Sequence, residues 1–225
     1  MAESPAEPIP VEIPRTRMWR IRANEKRRRI RTTLEEAWEV SGRTADDPDI
    51  REIFPTLPRA PIHLLALRMN KAINHGGLLR LAEAHRVEMM SYEMEEDRAV
   101  DFSGVRGSHK WMPYQFVDPV ALLQGLKAQG YRVYGLTLND RAVSVYRAAW
   151  QFPCVLVLGE ELTGIRPEIE ALCDDCVAIP LYGVTGSLNV GHAAAIAVSQ
   201  CVNAYADADP GFAPARAVSR RLRGE

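Results

Sequence analysis

The stretch "IPLYGVTGSLNVGHAAAIAVSQ", residues 179–200, joins a short apolar segment, a loop with two glycines and a helix of small residues. Ser187 or Asn189 can cap a helix whose interior begins at Val190, because a short polar side chain accepts a hydrogen bond from a free N–H group of the first turn. Polar side chains at this place are also typical of a ligand or catalytic site at a helix N-terminus. The stretch alone does not separate the two interpretations.

Short apolar segments recur along the chain, and glycine or proline and then a helical pattern follow them. This alternation predicts an α/β domain with a parallel sheet. In such sheets ligands bind outside the carboxyl ends of the strands, so functional residues are expected just after each segment. The predicted strands are "IHLLALRM" (62–69), "VEMMSYEM" (87–94), "YRVYGL" (131–136), "CVLVLG" (154–159) and "CVAIP" (176–180).

The chain divides near residue 60, where a basic extension gives way to the alternating pattern. Residues 15–31 hold nine Arg or Lys and one Glu, so the overall net charge of −1 conceals a strong local asymmetry. Thr33 and Glu36 stand at capping-box spacing and predict a helix start. The predicted divisions are a basic, partly disordered and partly helical extension at 1–60, an α/β domain at 61–205 and a basic tail at 206–225.

Composition bounds the class of protein. An apolar content of 47% is sufficient for a hydrophobic core. The longest apolar runs are too short to cross a bilayer, which takes about 20 residues. The N-terminal residues are acidic and rich in proline, without the basic start and apolar centre of a signal peptide. We therefore expect a cytoplasmic protein with no membrane partner.

Four cysteines raise the question of a metal or redox site. Cys173 and Cys176 have CxxC spacing. A structural zinc site needs four ligands, and the sequence has neither a second CxxC nor a nearby pair of histidines. The cysteines are better interpreted as free buried thiols, and we predict no metal site.

The first polar segment, "NHGGLLR", follows the first predicted strand and runs from Asn74 to Arg80. Gly76 and Gly77 let a backbone or a ligand approach closely. The Arg80 guanidinium can bind a phosphate group through two parallel hydrogen bonds. An exposed helix arginine beside an asparagine cap is the alternative that spacing leaves open.

The second polar segment, "GEELTG", runs from Gly159 to Gly164 directly after a predicted strand. It lacks the lysine and the spacing of a P-loop and lacks GxGxxG, which disfavours a conventional dinucleotide site. Glu160 and Glu161 suit a cationic or hydroxyl-bearing ligand better than a phosphate. Alternatively, either acid favours the positive end of a following helix.

The three segments, in this order and spacing, resemble the motifs of the SpoU-type (SPOUT superfamily) RNA 2′-O-ribose methyltransferases. The family's Asn-x-Gly-x-x-x-Arg block is matched by Asn74, Gly76 and Arg80. Its Gly-x-Glu-x-x-Gly block is matched within "LVLGEELTG", and its Ile-Pro-Met block by "IPLYGVTGSLNV". The resemblance covers about residues 61–205, and "GSHKWMPY" is similar to a segment of the tRNA ribose methyltransferase branch. The departures from the family's usual residues are Arg86 (commonly Gly), Leu181 (usually Met) and Gly191 (usually Ser).

The resemblance implies an S-adenosylmethionine-dependent enzyme with a particular fold. The sheet would end in a deep trefoil knot, whose threading suits the small residues Gly191, Ala194 and Ala195. The family works as a homodimer, with the S-adenosylmethionine site near the subunit interface. The residues expected to contact that cofactor are Leu136, Gly159, Ile179 and Leu188.

The resemblance also implies roles for the polar residues. Arg80 would bind a substrate phosphate and stabilise the developing alkoxide of a ribose 2′-hydroxyl, since an arginine stays protonated. Asn74, Ser187 and Asn189 would orient these groups, and Glu161 would anchor its loop or Arg80.

RNA is the expected partner, with tRNA favoured over ribosomal RNA. The cations of residues 15–31 can follow an RNA backbone, and Trp19 can stack on a base; a solvated basic helix is the alternative. The competing functions are a ribosomal RNA 2′-O-methyltransferase and a knotted RNA-binding protein without catalysis. A dehydrogenase is disfavoured by the missing GxGxxG.

Overall fold

The structure, a computed structural model, describes residues 54–69, 71, 73–94, 105, 107–160 and 163–215. The predicted basic extension and its helix start at Thr33 lie outside these residues, except for its last few positions, and so does most of the predicted basic tail. No helix in the described ranges is long and apolar enough to cross a membrane.

The described residues form strands and helices that mostly alternate along the chain. The strands are β1 (Ala60–Ala66), β2 (Val87–Glu93), β3 (Tyr114–Val117), β4 (Arg132–Leu136), β5 (Val143–Ser144), β6 (Cys154–Leu158) and β7 (Asp175–Ala178). The α-helices are α1 (Ile73–Ala84), α2 (Pro119–Ala128), α3 (Pro167–Glu170) and α4 (Val190–Ala208), and short 3-10 helices occur at Phe54–Thr56 and Ser108–Lys110.

These strands pair in one parallel sheet in the order β3-β2-β1-β6-β4-β7-β5. The predicted α/β class with a parallel sheet is therefore confirmed. All five residues of β6 are buried, as expected of a central strand covered on both faces. Leu136 at the end of β4 is in register with Leu158 of β6 and Val177 of β7. The carboxyl ends of these three strands thus lie side by side.

Helices cover both faces of the sheet. Alternate residues of a strand point to opposite faces, and in the buried strands both sets are apolar, so each face needs a covering layer. On one face, Leu78 of α1 and Val198 of α4 pack with Leu64 of β1. On the other, Leu123 of α2 and Ile169 of α3 pack around Leu65, Val155 and Val157. Both α1 and α4 follow strands of the parallel sheet, so both begin at its carboxyl edge.

Two strands, β3 and β5, lack the apolar run that predicts the other strands. β3 has one buried residue among its four, Val117, and β5 consists of Val143 and Ser144 alone. Both occupy outer edges of the sheet, where solvent replaces one neighbouring strand. A short edge strand therefore lacks the run of apolar residues by which the sequence indicates the others.

All four cysteines are free and buried, which confirms that prediction. Among the described residues no group of three or more His, Cys, Asp or Glu side chains is arranged to hold a metal ion.

Arg86 joins α1 to β2 with a φ of 50°, in the left-handed region. Glycine adopts this region without steric cost, which explains why glycine is common in the family at the position where this chain has Arg86. The Arg86 side chain instead packs inward, with its guanidinium 4.3 Å from the centroid of the Phe212 ring. Burial, and then the charge of Arg59, lowers the pKa of Arg86. The ring face stabilises a cation whose two terminal nitrogens meet no hydrogen-bond partner in the described part of the chain.

A buried histidine makes stability depend on pH. His63 Nε2 lies 2.6 Å from the Ser91 hydroxyl, and burial lowers the pKa of His63 to about 4. An unfolded histidine has a pKa near 6.5, so as the pH falls from about 6.5 to 4 the unfolded chain binds a proton that the folded chain does not. We expect the free energy of unfolding to fall by ~3 kcal/mol through this window, at about 1.4 kcal/mol per pKa unit.

Urea denaturation at several pH values between 4 and 7.5 measures this effect. His63→Gln is the comparison, since it keeps a polar side chain that does not titrate there. The difference between the two pH profiles isolates His63 from the carboxyl groups, and parallel profiles would show that His63 makes no such contribution.

Candidate functional site

A cavity of about 390 Å³ opens at the carboxyl edge of the sheet. Its walls come from the ends of β4, β6 and β7 and from the start of α4. The four residues that the resemblance assigns to the cofactor all line it: Leu136, Gly159, Ile179 and Leu188. Gly159 and Ile179 lie 23 and 43 positions after Leu136 in the sequence. The pairing of β4 with β6 and with β7 brings these strand ends together.

The loop after β7 combines both interpretations of its polar residues. Asn189 is the N-cap of α4, and its side-chain oxygen accepts a hydrogen bond from the Gly191 N–H group at 2.9 Å. Ser187 is not the cap; it is exposed and lines the cavity. Asn189 thus caps α4, and its expected role in orienting the substrate stays a prediction, while Ser187 is available to a ligand.

Gly159 ends β6 at a point where the backbone closes tightly on itself. The Glu160 N–H group donates to the Gly164 carbonyl at 2.8 Å, and the Gly164 N–H group donates to the Glu160 carbonyl at 3.1 Å. A Cβ atom at Gly159 would lie 2.6 Å from the Gly164 carbonyl carbon and 2.9 Å from the Ile165 nitrogen. Only glycine fits here, and its bare backbone forms part of the cavity wall.

Gly159→Ala is therefore expected to damage the cavity. The added methyl group meets backbone atoms, which cannot rotate away, and overpacking of this kind costs ~1–3 kcal/mol of stability. We expect ligand affinity for the cavity to fall together with the melting temperature. Gly183→Ala is the matched control, because no atom lies within 4 Å of a Cβ there. Equal behaviour of the two variants in calorimetric binding and thermal unfolding would contradict the account of Gly159.

The acidic loop after β6 is held by its first glutamate. Glu161 lies outside the described residues. One carboxylate oxygen of Glu160 accepts from the Thr163 hydroxyl at 2.6 Å, and the other accepts from Arg166 at 2.7 Å. Hydrogen bonds to Glu93 and then to Glu160 raise the pKa of Arg166 above its ordinary value. The two described ends of the loop, Glu160 and Thr163, are thus joined to each other and to Arg166, and both line the cavity.

The first motif lies on α1, beside the cavity rather than in it. Asn74 is in the first turn and donates its backbone N–H to the Lys71 carbonyl at 3.0 Å. Arg80 is exposed, and its charge acts on Glu83, whose pKa is raised chiefly by burial. Neither Asn74 nor Arg80 is among the described residues that line the cavity. Asn74 is at the same edge of the sheet because α1 begins there, whereas Arg80 lies about two turns further along α1. Helix α1 also packs against α4.

Other residues of the site carry no motif. Thr137 and Leu138 follow β4, and Thr163 belongs to the loop after β6; all three line the cavity. The general rule that ligands bind after strand ends points to Thr137 and Leu138. No sequence pattern points to Arg166, because it forms ion pairs with the Glu93 and Glu160 carboxylates, and Glu93 comes near it only in the folded chain.

Chemically, the cavity offers apolar walls, close backbone approach at Gly159 and the Ser187 hydroxyl. Its volume lies in the usual range for small-ligand sites, about 300–1,000 Å³. An exposed arginine on the neighbouring helix can meet a phosphate group of a larger substrate. This arrangement suits transfer between a small bound cofactor and a polyanion at the surface.

Comparison with known proteins agrees with this arrangement. A model of the SpoU rRNA Methylase family matches residues 61–199. The tRNA (guanosine(18)-2′-O)-methyltransferase of Aquifex aeolicus is 34% identical over 126 residues, which are 55% of this chain and 60% of that relative. The chain therefore spans less than two thirds of that relative's length.

Solved structures show the same fold. The crystal structure of the A. aeolicus TrmH/SpoU tRNA modifying enzyme has a TM-score of 0.65 and 25% identity, covering 76% of this chain and 91% of that one. The SpoU methyltransferase AviRb from Streptomyces viridochromogenes, solved in complex with the cofactor AdoMet, has a TM-score of 0.59 and 23% identity. That match covers 72% of this chain and 66% of AviRb, and it is a likeness of fold.

Proposed function

This chain belongs to the SpoU rRNA Methylase family, and we propose that it methylates a ribose 2′-hydroxyl in tRNA with S-adenosylmethionine as the methyl donor. The observation that carries the proposal is the cavity at the carboxyl edge, where residues of two family motifs form one wall. The A. aeolicus relative, named as a tRNA 2′-O-methyltransferase, supports the same reaction.

The described residues fit the donor. Leu136, Ile179 and Leu188 offer apolar contact to an adenine ring, and the bare backbone at Gly159 leaves room for the ligand beside the strand end. Leu188 is 39% exposed and sits at the mouth of the cavity, where a ligand would cover it. When bound, S-adenosylmethionine supplies an electrophilic methyl group.

The protein's own task is to make the 2′-oxygen nucleophilic. Arg80, exposed on α1, binds the substrate phosphate and stabilises negative charge on the 2′-oxygen as its proton leaves. A phosphate oxygen accepts that proton, because a guanidinium has no lone pair to take it. Asn74, Ser187 and Asn189 orient the ribose and phosphate, Asn189 also caps α4, and Glu161 anchors its loop or Arg80.

The proposal includes the deep trefoil knot. Support comes from the topology, in which β7 lies between β4 and β5 while the segment after it returns to the ends of β4 and β6. Ala194 of α4 is fully buried against the sheet, as tight threading requires. Small residues at Gly191 and Ala195 suit the same close approach.

A homodimer is part of the proposal. Exposed apolar side chains support it: Tyr182 and Val184, in the loop before α4, are fully exposed, and Leu138 of the cavity lining is 61% exposed. Large exposed apolar side chains favour a surface that a partner subunit covers. Sedimentation velocity tests the dimer: twice the mass of one chain is expected, and a single-chain mass at micromolar concentration would contradict it.

The RNA substrate is the least constrained part of the proposal. The basic residues 15–31, within the proposed extension at 1–60, would follow the RNA backbone, and the tail at 206–225 would add to the same surface. Ribosomal RNA is the alternative substrate. A protein without catalysis is disfavoured by the presence of Arg80, Ser187 and Asn189. The cytoplasmic location stays a prediction.

Transfer of a labelled methyl group from S-adenosylmethionine to total RNA tests the function. The RNA is then separated into tRNA and ribosomal RNA. Label in the tRNA fraction is expected, and label confined to ribosomal RNA would favour the alternative substrate. Binding of RNA without any transfer would favour the non-catalytic alternative.

A further inference from the structure

The Arg166 side chain, just before α3, joins three carboxylates, of which that of Glu160 belongs to the cavity lining. Its terminal nitrogens donate to the two Glu93 oxygens at 2.7 and 3.1 Å and to a Glu160 oxygen at 2.7 Å. Its Nε donates to Glu168 at 2.9 Å. The Glu93 and Glu160 side chains are 16% and 15% exposed, whereas that of Glu168 is 57% exposed.

The two less exposed partners, Glu93 and Glu160, belong to different parts of the structure. Glu160 begins the loop after β6, lines the cavity and accepts from the Thr163 hydroxyl. Glu93 ends β2, and its Oε2 also accepts from the Arg68 N–H group at 2.8 Å, just after β1. Since β2, β1 and β6 are neighbours in the sheet, one guanidinium connects three adjacent strand ends. The segment after Arg68 leads to α1, which carries Asn74 and Arg80.

Arginine is the side chain that this arrangement requires. Its planar group directs N–H donors toward both oxygens of one carboxylate and toward a second carboxylate at the same time. A lysine ammonium concentrates its donors at one atom and cannot reproduce this pattern. Without the cation, two mostly buried carboxylates would remain unpaired, which is costly.

We propose that Arg166 is a positioning residue that acts in two directions, and this inference rests on the proposed function. Through Glu160 it holds the cavity wall in the shape that binds the methyl donor. Through Glu93 and the Arg68 backbone it holds the start of the segment that presents Arg80 to the RNA. Arg166 touches neither the donor nor the RNA itself.

Three glutamate-to-glutamine variants separate the two directions, since each removes one negative charge and leaves Arg166 in place. Glu160→Gln is expected to raise the Kd for S-adenosylhomocysteine about tenfold, because it weakens a charge-assisted hydrogen bond at the cavity wall. Glu93→Gln is expected to lower the transfer rate at saturating donor, with a smaller change in Kd. Glu168→Gln is the matched control: it weakens a similar hydrogen bond at an exposed carboxylate outside the cavity lining, so Kd and rate should be unchanged.

Arg166→Met is expected to impair both Kd and rate, and Arg166→Lys to restore neither. Melting temperatures accompany every measurement; if the Arg166 variants do not fold, the three glutamine variants still decide the matter. A simple loss of stability would move Kd and rate together in all variants, whereas positioning predicts the split between Glu160→Gln and Glu93→Gln.

Calorimetric binding of S-adenosylhomocysteine needs no RNA, so it keeps the two possible failures apart. If the wild-type protein bound none, the proposed function would fail and this inference with it. If the wild type bound the ligand and methylated RNA while Glu160→Gln and Glu93→Gln both behaved like Glu168→Gln, only the role of Arg166 would be overturned.

Discussion

Replacing Arg80 by alanine is expected to lower methyl transfer at least ~10²-fold, the usual loss when a group that stabilises a developing oxyanion is removed. The expectation rests on the proposed role of Arg80 and on its position, since the side chain is exposed on α1 and is absent from the described cavity lining. Binding of S-adenosylhomocysteine should therefore be unchanged. The measurement is single-turnover methyl transfer beside calorimetric binding of the donor product.

Arg132→Ala is the matched control for this variant. Arg132 begins β4 at the opposite edge of the sheet, where it pairs with Asp175 at 2.8 Å. Its removal takes away the same guanidinium without touching the candidate site, so transfer should persist. Wild-type transfer by Arg80→Ala would disprove the role of Arg80. Loss of S-adenosylhomocysteine binding in Arg80→Ala would instead indicate that Arg80 contributes to the cofactor site.

Removal of residues 1–31 is expected to weaken RNA binding by at least ~10-fold at physiological salt and to flatten its salt dependence. Each phosphate that a cation neutralises contributes a slope of about 0.7–0.9 in a plot of log affinity against log salt. The removed segment carries nine Arg or Lys between residues 15 and 31. Filter binding of tRNA at about 50 to 300 mM salt measures the slope, because electrostatic screening changes strongly over this range of ionic strength.

Removal of residues 1–14 is the control, since that segment contains no Arg or Lys. It should leave the salt slope unchanged. If the longer deletion also kept the wild-type slope, residues 15–31 would be a solvated basic segment with no part in RNA binding.

The central part of the fold follows from the sequence because its signals are local. An apolar run such as "CVLVL" can bury all of its side chains in a strand that is covered on both faces, and β6 is such a strand. Asp118 and Pro119 predict a helix start, and α2 begins there with the Asp118 side chain accepting from the Ala121 N–H group. The edge strands β3 and β5 could not be predicted, because partners outside their own segments define them.

The candidate site likewise contains residues that local sequence predicts and residues that only the fold brings together. Gly159, Ile179 and Leu188 were expected from motifs, and register between strands brings them to one cavity with Leu136. The network around Arg166 could not be predicted, since Glu93 lies 73 residues away in sequence. Asn189 shows why capping and function are hard to separate: the same segment must start α4 and shape the cavity.

The sharpest test of ribose methylation is the alkali resistance of the product. A 2′-O-methyl group removes the hydroxyl that attacks the neighbouring phosphorus, so the modified linkage survives alkaline hydrolysis. After transfer of labelled methyl groups to tRNA, the account predicts label in alkali-resistant dinucleotides. Label recovered in mononucleotides would show methylation of a base and would contradict the central claim.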